Sequence, residues 1–338
     1  SLHDALPISD VAIVYGMRTD TDPTADLTRH HRGHERVSDE ADFSEVRAGA
    51  SVTVDKLVGI ATGRDPGSDA EPAARAEATV LAAPGFDEAK AESVRRWQQL
   101  WADADCEIVG DDKAAHAVRF SIYHLLIAAN PDDPTVNIGA KSLSGEGYRG
   151  HVFWDTEIMM LPFFLFTQPH TARSLLGYRY HTLGGARELA RENGIRGAQY
   201  PWESADTGRE ECPRFTPDGQ NRFYTRDEEL HVTADVAYAI VRYADVTGDV
   251  DYLYGEGAEI LFETTRFWMQ RCTRDGDRLV LHTVMGPDEF HSHVDNNAFT
   301  NRMVRWHLER AAQVHARMAQ THPDALAALA ERIGLAAG

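Results

Sequence analysis

Two loops of the sequence each carry a tryptophan directly before a carboxylate. Trp154 and Asp155 belong to GYRGHVFWDTE, and Trp202 and Glu203 belong to AQYPWESADTG. An indole stacks on the C–H face of a pyranose, while a carboxylate accepts hydrogen bonds from sugar hydroxyls. Asp155 by itself could do no more than cap the helix that follows it. Two such pairs, both in loops between helices, favour a carbohydrate pocket.

A third stretch, RDEELHVTADVAYAI, carries three consecutive acids, Asp227, Glu228 and Glu229, ahead of a helical pattern. Negative charge at a helix N-terminus is ordinary stabilisation, worth about 0.3–1 kcal/mol. Alternatively, one of the three acids donates a proton to a leaving oxygen. The helix dipole lowers a carboxyl pKa, so burial and neighbouring carboxylates would have to raise it again.

The fourth stretch is VMGPDEFHSHVDNNAFTN, in which His291 and His293 lie two residues apart and close to Glu289. Gly-Pro-Asp is a turn sequence. Metal ligation is the less favoured interpretation of the two histidines. The edge of a polar pocket is the favoured one.

Other potential metal ligands lack the required spacing. Three cysteines, Cys106, Cys212 and Cys272, are far apart and form no CxxC pair, which predicts neither a disulfide scaffold nor a zinc site and is typical of a reducing cytoplasm. A polar stretch holds three histidines, His30, His31 and His34. We interpret this polar stretch as a surface loop in preference to a metal site.

The composition of the chain disfavours some classes of binding partner. The 338 residues carry a formal net charge of −19, which disfavours nucleic acids and anionic membranes and is compatible with a neutral sugar. The longest apolar run, Ile158–Phe166, has nine residues and contains Pro162. A membrane span needs about 20 residues, so no membrane segment is predicted.

The elements that must position these loops are mostly helices. Strands are predicted in DVAIVYGMR, FSEVRAG, SVTVDKLVGIATGR and CEIVG. Apolar periodicity predicts helices from about residue 85, and over 112–129, 154–166, 172–193, 232–247, 250–272, 298–320 and from 323. The long loops 134–153, 195–230 and 276–297 hold the motifs, and structureless connections of that length are usually functional.

The four stretches together strongly resemble glycoside hydrolase family 65. The resemblance is carried by GEGYRGHVFWDTE, RGAQYPWESADTG, ELHVTADVAYAI and MGPDEFHSHVDNNAFTN, and runs from about residue 43 to the end. It implies a mainly α fold, with an incomplete (α/α)6 barrel preceded by a helical linker and the last strands of an N-terminal β-sandwich. The expected boundaries are residues 1–82 for the sandwich remnant, 83–110 for the linker and 111–338 for the first part of the barrel.

The resemblance also implies roles for individual residues. Glu229, the glutamate of ELHV, would be the general acid. Trp154 and Asp155 would face the glucosyl unit that is transferred. Trp202 and Glu203 would lie around the sugar cleft, towards the acceptor side.

The implied reaction is inverting phosphorolysis of an α-glucosyl disaccharide to β-glucose 1-phosphate and a free sugar. The partners are therefore the disaccharide and inorganic phosphate as co-substrate, with no metal and no organic cofactor, and a homodimer as the family commonly forms. The loop Arg209–Tyr224 matches the region that varies with linkage. Two alternatives stay open: a glycoside hydrolase on the same barrel, which needs a second carboxylate to activate water, and a catalytically inert sugar-binding fragment.

Overall fold

The computed structural model describes residues 13–21, 25–32, 36–43, 46–63, 71–143, 145 and 147–335. The chain separates into two compact units, Ser1–Ala102 and Asp103–Gly338. The predicted sandwich remnant, residues 1–82, includes several stretches that lie outside the described residues. His34 also lies outside them.

The described residues of the first unit form two antiparallel strand pairs, one helix and most of a second helix, which ends just beyond the boundary. Strand β1 (Ile13–Thr21) pairs with β4 (Val54–Thr62), and β2 (Ala25–Arg32) pairs with β3 (Arg36–Phe43). Helices α1 (Pro72–Ala82) and α2 (Phe86–Ala104) follow. Helix α1 lies so close to β4 that a Cβ atom on Gly59 would come within 2.6 Å of the Ala76 carbonyl oxygen. Only glycine allows that approach.

Some predictions for the first part of the chain are wrong. The stretch around His30 and His31 was expected to be a loop but forms strand β2. Antiparallel pairing uses backbone groups, so polar side chains do not prevent it. Helix α1 begins well before the predicted start at about residue 85. Residues 46–49 of FSEVRAG lie outside any strand and include a turn, and CEIVG is not a strand: Val109 is 87% exposed.

The second unit is mainly helical, as predicted for the body of the chain. Its helices are α3 (Asp112–Ala128), α4 (Leu161–Thr167), α5 (Pro169–His181), α6 (Leu183–Glu192), α7 (Thr225–Glu228), α8 (Val232–Thr247), α9 (Val250–Tyr252), α10 (Ala258–Arg271), α11 (Ala298–Thr321) and α12 (Pro323–Ile333). A small hairpin of β5 (Thr273–Asp275) and β6 (Arg278–Val280) lies before the last loop. No helix among the described residues is long and apolar enough to cross a bilayer.

Helix ends follow local chemistry. Asp111 caps α3 by accepting the Ala114 N–H, and Asn297 caps α11 by accepting the Thr300 N–H. Helix α8 ends at Gly248, which has a φ of 75°, a conformation that glycine adopts without strain. These signals explain why the predicted bounds of α3, α8 and α11 agree with the structure to within about a residue.

Three predicted helices are interrupted. The segment 250–272 divides into α9 and α10 at a kink around Gly255. The segment 172–193 divides into α5 and α6 at Thr182, and the break brings Gly185 against the backbone of Thr207 and Gly208. The segment 154–166 begins as a π-helical turn, Thr156–Met160. Pro162 has no N–H to donate, so a regular helical ladder cannot run through this point.

Helix α8 lies at the centre of the core. Nearly all of its residues from Val232 to Val241 are buried, on every side of the helix. They pack with buried residues of α4, α5, α10 and α11 in one apolar cluster. A helix that is buried on every side must be covered by other elements all round. The N-terminus of this fixed helix carries the acidic motif.

Candidate active site

The three motif-bearing loops border one cavity of about 670 Å³, a typical size for a small-molecule site. Its walls are formed by Ala140, Lys141, Tyr148, Arg149, His151, Phe153, Trp154, Asp155, Trp202, Glu203, Glu211, Cys212, Pro213, Phe215, Pro217, Phe223, Thr225 and Glu289. Both predicted tryptophan–carboxylate pairs are among them. The predicted linkage loop contributes Pro213, Phe215, Pro217 and Phe223.

The two pairs form one continuous wall. Val152 and Ser204 exchange backbone hydrogen bonds of 2.9 and 3.0 Å, which align the segments antiparallel. The rings of Phe153 and Trp202 meet edge to face, with centroids 5.6 Å apart. Residues about 50 positions apart in sequence thus present their side chains to the same space.

A buried ion pair supports this wall from behind. Arg179 donates from Nε to Glu157 Oε1 at 2.7 Å and from Nη2 to Glu157 Oε2 at 2.8 Å. The same Nη2 donates to the Phe153 carbonyl at 2.8 Å. Both side chains are 1% exposed. The backbone that leads into Trp154 is therefore attached to helix α5 by charge-assisted hydrogen bonds.

Glu210 holds the second tryptophan segment. Its carboxylate accepts backbone N–H groups from Trp202 at 2.8 Å, Glu203 at 3.2 Å and Cys212 at 3.0 Å. Burial raises the pKa of Glu210 to about 7, although these N–H donors act to lower it. The group positions the Trp202–Glu203 backbone and does not itself line the cavity.

The predicted sugar-contacting carboxylates differ in their surroundings. Glu203 Oε1 lies 2.7 Å from His151 Nδ1, and both residues are buried although both reach the cavity. Asp155 has no such partner, and burial is the main cause that raises its pKa. The charge of Glu157 adds to that rise.

Glu229 is a buried carboxyl without a partner. The residue is 2% exposed, and neither carboxyl oxygen has a hydrogen-bond partner among the residues that the structure describes. Burial, followed by the negative charges of Glu289 and Asp235, raises the pKa of Glu229 to about 9. The carboxyl group is thus protonated at neutral pH. Glu229 is not among the cavity-lining residues, and one side chain separates it from the two indoles.

That side chain is His231. Its Nε2 lies 3.8 Å from Glu229 Oε2, and its Nδ1 lies 2.6 Å from Asp235 Oδ2. The imidazole meets Trp154 edge to face at 4.8 Å between centroids, and Trp202 at 6.3 Å. The structure therefore brings Glu229 to the rear of the wall that the two tryptophans form.

The loop 284–297 is hydrogen-bonded to Glu228, the residue before Glu229. Glu228 Oε1 lies 2.6 Å from His293 Nδ1, and Glu228 Oε2 accepts the His293 backbone N–H at 2.7 Å. His291 pairs instead with Asp288. Within the residues that the structure describes, no group of three or more His, Cys, Asp or Glu is arranged to hold a metal ion. The loop carries Glu289, which lines the cavity and raises the pKa of Glu229.

Sequence reasoning did not assign roles to His151, Glu210, His231, Asp235 or Glu289. Only His231 and Asp235 could have been found from the sequence, because they stand four residues apart and so share a helix face. The contacts of His151 and Glu210 join separate turns of a loop, which spacing does not reveal. Glu289 acts on a residue of another loop through its charge.

Comparison with known proteins gives consistent matches. The family model "Glycosyl hydrolase family 65 central catalytic domain" matches residues 119–334, and the model of that family's N-terminal domain matches residues 3–100. Kojibiose phosphorylase of Caldanaerobacter subterraneus subsp. tengcongensis is 45% identical over 291 residues, 84% of this chain and 38% of that protein. Alpha,alpha-trehalose phosphorylase of Geobacillus stearothermophilus is 42% identical over 249 residues, 73% of this chain and 31% of that protein.

A solved structure described as a candidate kojibiose phosphorylase from the human microbiome superposes with a TM-score of 0.79. It covers 97% of this chain and 42% of its own, at 23% sequence identity, and supports the fold alone. The chain spans about two fifths of the length of the kojibiose phosphorylases that it is similar to.

Proposed function

The chain belongs to glycosyl hydrolase family 65, and on that premise we propose that it carries the proton-donating half of an inverting α-glucosyl disaccharide phosphorylase. The matched relatives are named as phosphorylases of kojibiose, trehalose, nigerose and glucosylglycerol. All of them exceed this chain considerably in length, so the activity is proposed for the full-length protein.

One observation carries the proposal. Glu229 is buried, has no hydrogen-bond partner, and has a pKa of about 9. Buried carboxyl groups are normally paired, because an unpaired one is costly. A carboxyl group that is protonated at neutral pH, with only His231 between it and the two indoles of the cavity wall, fits a general acid for glycosidic cleavage.

The proposed reaction breaks the bond between the anomeric carbon and the bridging oxygen. Glu229 gives its proton to that oxygen, which leaves with the acceptor sugar. Phosphate attacks the anomeric carbon from the opposite face and forms β-glucose 1-phosphate. Because phosphate is already anionic, no second carboxylate has to activate it. The carboxylate of Glu229 regains a proton from the medium before the next turnover.

The proposed sugar contacts use the cavity wall. Trp154 stacks on the transferred glucosyl unit and Asp155 accepts hydrogen bonds from its hydroxyls. Trp202 and Glu203 contact the acceptor sugar, with Glu203 oriented by His151 at 2.7 Å. The aromatic residues of the loop 209–224 contact the acceptor from the other side and select the linkage.

The finer architecture belongs to the same proposal. The helices of the second unit form the first part of an (α/α)6 barrel, preceded by a linker over 83–110 and by a sandwich remnant over 1–82. Helix α8, which is buried on every side over Val232–Val241, supports this arrangement, since inner barrel helices are covered on every side. Formation of a homodimer stays a prediction.

A hydrolase on the same scaffold is the second candidate. Asp155, Glu203 and Glu289 all line the cavity, and a carboxylate there could activate water in place of phosphate. The matched relatives favour phosphorolysis, because their names specify it.

The test is product analysis of the full-length protein with and without inorganic phosphate, using kojibiose, trehalose and nigerose as substrates. We expect β-glucose 1-phosphate and free glucose only when phosphate is present. Equal release of two free sugars in its absence would identify a hydrolase. Binding of sugar without any product under either condition would identify an inert sugar-binding protein.

A further inference from the structure

We infer that His231 and Asp235 form a positioning device for Glu229: Asp235 holds the imidazole in one tautomer, and the free Nε2 of that ring keeps the Glu229 carboxyl in its proton-donating form. The role in the reaction rests on the proposed function, but the geometry stands independently of it.

The three side chains form a buried chain of polar groups. Their side chains are 0% exposed, with 2.6 Å between Asp235 Oδ2 and His231 Nδ1 and 3.8 Å between His231 Nε2 and Glu229 Oε2. Neither Nε2 nor either oxygen of Glu229 has another hydrogen-bond partner in the structure. Buried polar atoms without partners are rare, and two that face each other point to a contact completed during function.

The tautomer follows from the Asp235 contact. A carboxylate at Nδ1 favours the proton on that nitrogen, which leaves a lone pair on Nε2. A lone pair is the acceptor that a protonated Glu229 needs. The present 3.8 Å is longer than a hydrogen bond, but catalytic contacts are often long in the absence of substrate and tighten when it binds.

Aromatic rings fix the orientation of the imidazole. Trp154, Trp202 and Phe299 surround it edge to face, at 4.8, 6.3 and 5.3 Å between centroids. The two indoles are the proposed sugar platforms. A sugar that stacks on them therefore also confines the ring that positions the acid, which couples sugar binding to the state of Glu229.

Charged groups on neighbouring elements also act on Glu229 and Asp235. Glu289, on the loop 284–297, faces Glu229, while Glu157 of the π-helical turn and Arg179 of helix α5 face Asp235. Burial raises the pKa of Asp235, and the hydrogen bond from His231 acts against that rise.

A purely structural histidine has a different environment, as His307 illustrates. It is also 0% exposed, but its Nε2 lies 3.1 Å from Thr264 Oγ1 and 3.3 Å from the Leu261 carbonyl oxygen. Burial lowers its pKa to about 4. Both histidines have one ring nitrogen without a partner, but only that of His231 faces a carboxyl group.

The first test observes the tautomer in the chain itself by nitrogen NMR of ¹⁵N-histidine-labelled protein at neutral pH. The His231 signal is identified by its loss in His231→Gln. We expect the proton on Nδ1 and none on Nε2. A proton on Nε2 would overturn the inference. The tautomer is observed in the parent chain, and His231→Gln serves only to assign the signal.

The second test follows the ¹³C carboxyl signal of Glu229 during a pH titration, with Glu229→Gln for assignment. In Asp235→Asn we expect the midpoint to fall by about one unit, because a raising charge is removed and the Nε2 lone pair is no longer enforced. The control is Asp245→Asn on the same helix, where Asp245 pairs with Arg310 at the surface. An unchanged Glu229 midpoint in folded Asp235→Asn would contradict the inference.

In the full-length protein, the alkaline limb of the kcat/KM profile for phosphorolysis should move to lower pH with the same variant. A merely structural role would lower the rate at every pH without moving that limb. If the parent protein forms no glucose 1-phosphate at all, the proposed function fails, while the two NMR results still decide the inference about His231 and Asp235.

Discussion

Buried carboxyl groups occur in two contrasting regions of the second unit. Between α6, α10 and α12, Glu259 and Glu263 are 4% and 5% exposed, and arginines bind them at 2.7–2.8 Å: Arg187, Arg266 and Arg332. At the N-terminus of α8, Glu229 is 2% exposed and is without a cationic partner. The same residue type is thus equally buried in both places but differently paired.

The pKa values separate the two regions. Burial raises the pKa of Glu259, but hydrogen bonds and charges from Arg187 and Arg332 outweigh it and leave the pKa lowered. For Glu229, burial acts together with the charges of Glu289 and Asp235, and the pKa rises to about 9. Burial alone therefore does not decide the protonation state. The charge of the neighbouring group decides it. A site that needs a proton donor therefore has no arginine beside the carboxyl group.

The largest expected effect comes from replacing the unpaired acid. Glu229→Gln removes the donated proton but keeps the shape, so kcat for phosphorolysis in the full-length protein should fall by about 10²–10⁴-fold, with sugar affinity largely retained. The matched control is Glu259→Gln in the arginine-paired region, which should leave kcat per folded molecule unchanged. Normal turnover by Glu229→Gln would show that the acid is misassigned.

The next effect concerns a paired carboxylate. Arg179→Met leaves Glu157 buried without its cation and should reduce the free energy of unfolding by about 3–5 kcal/mol, measured by urea denaturation. Replacing both partners, as Glu157→Leu with Arg179→Met, should recover most of that loss. If the single and double variants were equally stable, the pair would not explain why Glu157 tolerates burial.

A smaller effect is expected from the indole in front of the unpaired acid. Trp154→Ala removes a stacking face, so sugar affinity measured by titration calorimetry with the full-length protein should weaken about tenfold. The control is Trp97→Ala on helix α2, which is not among the cavity-lining residues. Unchanged affinity in Trp154→Ala would leave the stacking role unsupported.

The smallest effect is on the pH dependence of stability. Glu229 binds its proton more tightly in the folded state, so its contribution to stability is fully present below pH 4.5 and decreases as pH rises towards about 9. Glu259, with a lowered pKa, loses its contribution instead as pH falls below its ordinary range.

Thermal melts should therefore show a smaller decrease in Tm from pH 5 to pH 8.5 for Glu229→Gln than for the parent chain. The two profiles should diverge by up to about 1.4 kcal/mol for each pH unit in this range. Glu259→Gln should change the acid side of the profile instead. Parallel profiles for all three proteins would remove the distinction between the two regions.

Periodicity and caps made much of the helical body predictable. Helices α3, α8 and α11 have strong apolar patterns, and Asp111, Gly248 and Asn297 mark their ends. The hairpin β2–β3 was missed because its residues are polar and backbone pairing does not depend on their type. The break at Thr182 was missed because its cause is the approach of a loop that follows 25 residues later.

By itself, the sequence determined which residue types were available: two indoles each beside a carboxylate, an acidic motif before an apolar helix, and a family whose blocks they match. Only the tertiary structure decided which carboxyl group is left without a cation and which histidine faces it. The physical reason is that a pKa depends on burial and on distances to other charges. Contacts such as that between Glu228 and His293 join positions 65 residues apart, and sequence spacing carries no information about them.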